Sequence, residues 1–251
     1  MRILLVGALG RMGANVIAAA VNGMHECRAL VDIGYENIAC SENEYAHIED
    51  AAAIAGEIDI IIDFSHHTSA KSISEFAAAH HIPAIIATTG HTEEERGYIA
   101  EAAKVTPMFT SGNMSLGIAS LRDAVKRVLS VFPDADVEIV ETHHNRKLDA
   151  PSGTALMLYD TVKEARPDAK AVFGRGPGSG KRDKNDVTIS AVRMGNIVGI
   201  HEVMICTDSE SITLRHQAYD RSLFADGAIK AAEFLVGRKP GLYSMNDIFG
   251  G

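Results

Sequence analysis

Two short stretches of this 251-residue chain hold residue types and spacings that can do chemistry. The first is Gly7-Ala8-Leu9-Gly10-Arg11-Met12-Gly13, which follows the apolar run Ile3–Val6 and leads into the Ala-rich run Met12–Val21. A glycine triplet between a strand and a helix can bring backbone N–H groups against a pyrophosphate. Gly7 permits the tight turn, Gly10 the close approach of the phosphates, and Gly13 the close seat of the helix on the strand. The helix N-terminus adds unpaired N–H groups and partial positive charge. Asp32 lies 19 residues beyond Gly13, at the end of a second apolar stretch, Arg28–Val31. A carboxylate there can accept hydrogen bonds from a ribose diol. Ile33 follows it, where an Arg or Lys would welcome a 2′-phosphate, so the pattern favours NADH, while Arg11 leaves NADPH open.

The second stretch is His143-His144-Asn145-Arg146-Lys147, just upstream of Asp149-Ala150-Pro151-Ser152-Gly153-Thr154. Two fixed cations and two imidazoles fall within five residues of a chain whose net charge is −9. The helix that opens at Gly153 and Thr154 offers a further anion site. The cluster can hold a small dianion, and a histidine or lysine in it can deliver a proton near neutral pH. Other polar patterns carry less. His66-His67 and His80-His81 are adjacent pairs, and adjacent side chains on a helix or strand diverge, so such a pair rarely ligates one ion. His80-His81 ends a predicted helix, and His66-His67 reads as a surface loop near the expected nucleotide. HExxH and CxxC are absent, so no metal is expected. Gly176–Lys181 imitates a P-loop but has Arg175 and Arg182 where the motif requires Gly and Ser or Thr.

The elements that must position these residues follow from texture. Short apolar runs at Ile3–Val6, Arg28–Val31, Ile58–Ile62, Ala84–Ala87 and Val105–Phe109 read as strands covered on both faces. Helix formers fill Ser69–Ala79 and Glu93–Ala103. Repeated strand-helix-strand predicts an α/β fold with a Rossmann-type, doubly wound parallel sheet. Beyond Gly112 the texture changes. Leu116–Val131 and Ser152–Ala165 read as helices and Val137–Val140 as a strand. Val187–Val192, His201–Cys206 and Ser211–Leu214 follow with no helix between them, which predicts antiparallel pairing. The expected architecture is a dinucleotide-binding domain over 1–112, completed by 217–251, and a central α+β domain over 113–216 with a mixed, largely antiparallel sheet.

Composition bounds the partners. Asp plus Glu outnumber Lys plus Arg by 33 to 24, which disfavours nucleic acid and anionic membranes. No apolar run reaches the length of a membrane span, and the apolar N-terminus stops too soon for a signal peptide. Three scattered cysteines, Cys27, Cys40 and Cys206, fit reduced thiols in a cytoplasmic protein.

The run Glu141–Ala155 resembles the signature of the dihydrodipicolinate reductase family. Other segments agree along nearly the whole chain: Gly7–Gly13 with its nucleotide turn, Thr88-Thr89-Gly90 with a loop after the fourth strand, and Ser111–Ser115 with its hinge. Arg193-x-Gly195 and Val198-Gly199-x-His201 resemble its second-domain hairpin, and His216-x-Ala218 with Phe224–Ala228 its closing helix. Ala87, Met114 and Gln217 depart from the usual residues. The resemblance implies a cytoplasmic homotetramer of lysine and diaminopimelate biosynthesis. It would reduce 4-hydroxy-tetrahydrodipicolinate, a small dicarboxylate, with NADH or NADPH and no metal. It also implies roles. Gly7, Ala8, Leu9, Gly10, Arg11, Met12 and Asp32 would hold the adenosine and pyrophosphate. Ala87, Thr88, Thr89, Ser111, Gly112, Asn113 and Met114 would approach the nicotinamide. His143 or Lys147 would give the proton, and His144, Lys147, Gly153 and Thr154 would hold carboxylate. Two other readings compete. A homoserine or aspartate dehydrogenase would share the glycine turn but lack the His143–Thr154 run. A non-catalytic dinucleotide sensor would have no use for His143 and Lys147.

Overall fold

A computed structural model describes residues 1–38 and 40–249; residues 250 and 251, which end the expected C-terminal return segment, lie outside the described residues. The chain divides into two units, Met1–Ser115 with Arg221–Gly251, and Leu116–Asp220.

The first unit is built on a parallel sheet. Its strands are β1 (Arg2–Val6), β2 (Glu26–Val31), β3 (Glu44–Tyr45), β4 (Ile60–Asp63), β5 (Ala84–Ile86), β6 (Pro107–Thr110) and, from the far end of the chain, β12 (Gly241–Tyr243). Their spatial order is β12-β6-β5-β4-β1-β2-β3. The interior strands are apolar on both faces because both faces are covered: Ile3, Leu4, Leu5, Ile60, Ile61, Ile62, Ile85 and Ile86 are all fully buried. Helices α1 (Arg11–Asn22), α2 (Ala70–His80), α3 (Glu93–Ala102) and α6 (Ser222–Leu235) do the covering. The chain leaves β1 towards β2 and β3, then returns to place β4 on the other side of β1. The crevice at such a reversal, beyond the carboxyl ends of the strands, is where open α/β sheets bind ligands.

Several boundaries differ from the sequence reading. Ile58 closes a 3₁₀ segment (Ile48–Glu57), so the third predicted strand begins at Ile60. Val105 is 46% exposed in the turn after α3, and its strand begins at Pro107. β3 and β12 were not foreseen. They are two and three residues long and join the sheet edges by a few backbone pairs. His80 ends α2 as expected, and His81 caps it in the left-handed conformation.

The second unit packs helices α4 (Leu116–Val131) and α5 (Gly153–Ala165) on one face of a five-stranded sheet. Its strands are β7 (Asp136–His143), β8 (Lys170–Phe173), β9 (Asp186–Arg193), β10 (Gly199–Cys206) and β11 (Ser211–Ala218), in the order β11-β10-β7-β9-β8. Ile118, Leu121, Val125 and Leu129 of α4 and Leu158 and Val162 of α5 meet Val137, Ile139, Val187, Ile189, Val203 and Ile205 of the sheet. The sheet is mixed, but antiparallel pairing holds only between β7 and β10 and between β10 and β11. Contrary to the sequence expectation, β9 pairs parallel with β7 and β8 and not with β10. The five residues between β9 and β10 look like a hairpin loop in sequence. They cross the end of β7 instead: Met194 N–H donates to the His143 carbonyl (2.9 Å), and His144 N–H to that of Ile197 (2.8 Å). The two strands therefore land on opposite sides of β7.

Candidate active site

In the first unit, a groove of about 460 Å³ opens beside the glycine turn, lined among others by Gly7, Gly10, Asp32, Ser65 and His66. Gly7 has φ +84°, and a methyl group on it would stand 2.8 Å from the backbone of Phe64 and Ser65. A methyl on Gly13 would stand 2.1 Å from the Ala8 carbonyl oxygen. Only glycine fits either place. Gly10 is less confined, its nearest neighbour being the Gly7 carbonyl oxygen at 3.2 Å. Its missing side chain keeps the groove open. Asp32 ties this turn to β2. One carboxylate oxygen accepts from Leu9 N–H (3.0 Å) and the other from Gly34 N–H (2.9 Å). Ala8 is buried under the turn, and Arg11 and Met12 begin α1. His66 sits at the groove edge with Nδ1 3.0 Å from the Thr68 hydroxyl, and His67 Nδ1 is 2.8 Å from Glu95.

A second groove in this unit, about 420 Å³, is lined by residues that include Thr88, Thr89, Gly90, Ser111 and Gly112. Ala87 N–H donates to the Asp63 carbonyl (3.0 Å). Asn113 folds over Ser111, whose hydroxyl donates to the Asn113 carbonyl (2.6 Å), and Met114 is buried. Of the expected nucleotide residues, Gly7, Gly10 and Asp32 line the first groove and Thr88, Thr89, Ser111 and Gly112 the second, while Ala8, Leu9, Arg11, Met12, Ala87, Asn113 and Met114 line neither. A glycine cradle, a carboxylate at the end of β2 and two adjoining polar loops fit a nicotinamide dinucleotide. Among the described residues, no group of three or more His, Cys, Asp or Glu could hold a metal ion.

In the second unit, the centre is a residue to which the sequence reading gave no role. Glu141 is fully buried on β7, two residues before His143 and on the same face. Its Oε2 lies 2.6 Å from His143 Nδ1. The Arg193 guanidinium grips both carboxylate oxygens at 2.8 Å, and Ser152 N–H donates to Oε1 at 2.9 Å. Burial alone would raise this carboxyl, but the hydrogen bonds from His143, Arg193 and Ser152 outweigh it and bring it down to about 2. Glu141 is therefore an anion at any working pH, and Nδ1 of His143 carries the hydrogen between them. Nε2 is left as the nitrogen that can give or take a proton.

Ser152 also starts α5. Its hydroxyl accepts from Ala155 N–H (3.2 Å) and lies 3.1 Å from His201 Nε2. One carboxylate thus joins His143 to the positive end of a 13-residue helix, where Gly153 is exposed and Thr154 half-buried. His201 sits beside His143 with ring centroids 5.2 Å apart. Burial and the neighbouring His143 push it down to about 3, so it stays neutral. Lys147 Nζ is held 2.8 Å from Asp149, and the Lys147 N–H donates to the His144 carbonyl (3.2 Å). The structure gathers His143, Arg193 and the start of α5 around Glu141, while Lys147 engages Asp149 and His144 is tied through its backbone to Ile197.

Glu141 and His201 left a signal in the sequence. Both stand at inward positions of alternating strands, after Val137 and Ile139 in β7 and before Val203 and Ile205 in β10. A charged or titratable residue where the pattern demands an apolar one marks a built site. Arg193 left no such signal, because its role depends on the unforeseen pairing of β9 with β7, which sets it opposite His143.

Comparison with known proteins matches the sequence profile described as dihydrodipicolinate reductase, N-terminus, to residues 1–114, and that described as dihydrodipicolinate reductase, C-terminus, to residues 117–249. A protein named 4-hydroxy-tetrahydrodipicolinate reductase from Caldanaerobacter subterraneus subsp. tengcongensis is 41% identical over 98% of this chain and 97% of its own length. A protein of the same name from Clostridium tetani is 37% identical over 98% and 95%. The fold is similar to that of a dipicolinate-bound dihydrodipicolinate reductase from Paenisporosarcina sp. TG-14, with a TM-score of 0.82, 23% identity and 99% of each chain covered.

Proposed function

The chain belongs to the dihydrodipicolinate reductase family, and from that premise we propose how its residues divide the reaction. The enzyme is a nicotinamide-dependent oxidoreductase that reduces 4-hydroxy-tetrahydrodipicolinate to tetrahydrodipicolinate in diaminopimelate and lysine biosynthesis. Loss of the 4-hydroxyl as water leaves an unsaturated ring, and a hydride and a proton then saturate one of its double bonds. Bound reduced nicotinamide supplies the hydride. Everything else falls to the protein.

In this reading Gly7–Met12 cradle the pyrophosphate and Asp32 accepts from the adenine ribose. Ala87–Thr89 and Ser111–Met114 hold the nicotinamide half. Asp32, with Ile33 after it, favours NADH, and exposed Arg11 leaves room for NADPH. His143 Nε2 or Lys147 Nζ gives the proton to the carbanion-like ring. His144, Lys147 and the Gly153–Thr154 end of α5 bind the two carboxylates, where fixed donors and a helix dipole are worth most. The observation that carries this reading is the buried Glu141 anion, which holds His143, Arg193 and the start of α5 in one network. A dinucleotide sensor would have no reason to meet the cost of burying it.

We also propose a homotetramer built on the second unit. Its two helices share one face of the sheet, and the other face, with Val140, Thr142, Ile200 and Met204 half-buried, carries no described helix of that unit. A cytoplasmic setting is supported by three free cysteines. No described helix is long and apolar enough to cross a membrane. The decisive assay follows loss of reduced nicotinamide after addition of substrate freshly made by a coupled synthase. Turnover dependent on that substrate is expected, and its absence with bound cofactor overturns the reading. Sedimentation analysis tests the tetramer.

A further inference from the structure

The nucleotide-binding unit fully buries one acidic side chain to which the reaction assigns no part. Asp63 ends β4, with Val6 of β1 and Ile86 of β5 as its partners across the sheet. Among the described residues, no charged side chain pairs with it. The buried residues of α6, which packs on this strand, are all apolar or glycine, Ala228 and Ala231 among them. A lone carboxylate in such a place is costly unless hydrogen bonds repay its desolvation. Three do so. Oδ1 accepts from Ser65 N–H (2.8 Å) and from the Ser65 hydroxyl (2.5 Å), and Oδ2 from the Thr88 hydroxyl (3.2 Å).

Those partners sit on the two loops that line the grooves. Ser65 lines the groove at the glycine turn, and its backbone nitrogen is one of the atoms that forbid a side chain on Gly7. Thr88 lines the second groove with Thr89, Ser111 and Gly112. The Asp63 backbone carbonyl also accepts from Ala87 N–H. One residue therefore spans the loop after β4 and the loop after β5.

We propose that Asp63 is the positioning residue of the dinucleotide site: its ionised carboxylate fixes the Ser65 and Thr88 loops against each other, and protonating it loosens the site and weakens cofactor binding. This rests on the cofactor reading above. Three donors occupy three of the roughly four acceptor sites of the carboxylate, and protonation removes the charge that strengthens all three bonds. Burial pushes Asp63 up to about 6, opposed by the bonds from Ser65 and Thr88. The ionised form binds better, so affinity falls as pH falls through this range. The nearest titratable group along the bonds is His91, whose Nε2 is 3.1 Å from the Thr88 hydroxyl. Beyond it stand His67, edge-on to His91, and Glu95, which pairs with His67. Burial lowers His91 from its ordinary range, and its contribution is separated by substitution.

The test is the dissociation constant of NAD⁺ by calorimetry between about pH 5 and 8. In the native enzyme it should weaken by up to about tenfold in all as pH falls through the inflection, with at most one proton linked. Asp63→Asn should bind about tenfold more weakly at neutral pH, with a flat profile. Thr88→Val removes a donor and should move the inflection upward, and Thr88→Ser should restore it. His91→Ala should leave the inflection in place. Should Asp63→Asn fail to fold, the two Thr88 variants still read the linkage. A profile that follows His91, or one unmoved by Thr88→Val, overturns the proposal, as does an Asp63→Asn profile like the native one. An enzyme that binds no dinucleotide at any pH overturns the cofactor reading instead.

Discussion

A methyl group on Gly199 would stand 3.1 Å from Nε2 of His143 and 3.6 Å from Cε1 of His201. A side chain on the first residue of β10 would press on Nε2 of the imidazole and make it give by a few tenths of an ångström. Gly199→Ala should lower kcat by about 10- to 100-fold, the cost of misplacing a reacting group by a fraction of an ångström to an ångström. The melting temperature should change little. Steady-state kinetics with calorimetry checks both, and unchanged kcat would place the proton donor elsewhere.

Glu141→Gln keeps the shape and removes the charge. Arg193 and His143 then face a neutral amide whose NH₂ cannot accept. Breaking a buried pair in this way costs about 3–5 kcal/mol. The pH dependence has a definite sign. The carboxyl titrates near 2 in the folded chain against an ordinary 4.5, so its contribution is complete above about 4.5 and drains away as pH falls towards 2. Melting temperatures across that window should fall steeply in the native enzyme and less steeply in the variant.

His143, His144 and Lys147, at the end of β7 and in the loop after it, should separate kinetically. His143→Gln should lower kcat by about 10²–10⁴-fold with little change in KM, as for a lost general acid. His144→Ala should act on KM. Lys147→Ala should damage both, since the proposed reading gives its ammonium a share in either task. NADH affinity, measured separately, should hold in all three. A His143→Gln enzyme with near-native kcat would refute the assignment.

Gly13→Ala and Gly10→Ala should fail in different ways. The first drives a methyl to 2.1 Å from the Ala8 carbonyl oxygen and should unfold or strongly destabilise the first unit. The second meets only the Gly7 carbonyl oxygen at 3.2 Å and narrows the groove, so the fold should survive while NADH binding weakens. Thermal melts beside cofactor titrations distinguish the two.

Asp32→Ala should weaken NADH more than NADPH, since only NADH offers a free 2′-hydroxyl to the carboxylate. It also frees Leu9 N–H and Gly34 N–H, so some loss is shared. Dissociation constants for both cofactors decide it, and equal losses would assign Asp32 to the turn alone.

What could be read from sequence follows from what each element needs. Ile60–Ile62 announce a strand because both faces of the sheet are covered and every side chain must be apolar. Glu44–Tyr45 and Gly241–Tyr243 announce nothing, because edge pairing uses backbone atoms that every residue has. In the site, His143 and Lys147 stood out by local charge density. Glu141 needed the alternation of β7 to be followed one step past its apolar residues. Arg193 needed the topology itself, since the parallel pairing of β9 with β7, far back in the chain, has no local signature.

The return of the chain to its first unit sets an order of assembly during synthesis. The unit Leu116–Asp220 is continuous, and all five of its strands exist once residue 220 has emerged. The unit that begins earlier must wait. Helix α6, which packs on α1, and β12, which closes the sheet beside β6, are made last. The younger unit therefore completes first on the ribosome, reversing the usual N-to-C sequence. A truncation or rigid fusion at the C-terminus strikes the nucleotide-binding sheet, although the glycine turn it supports lies at the other end of the polypeptide.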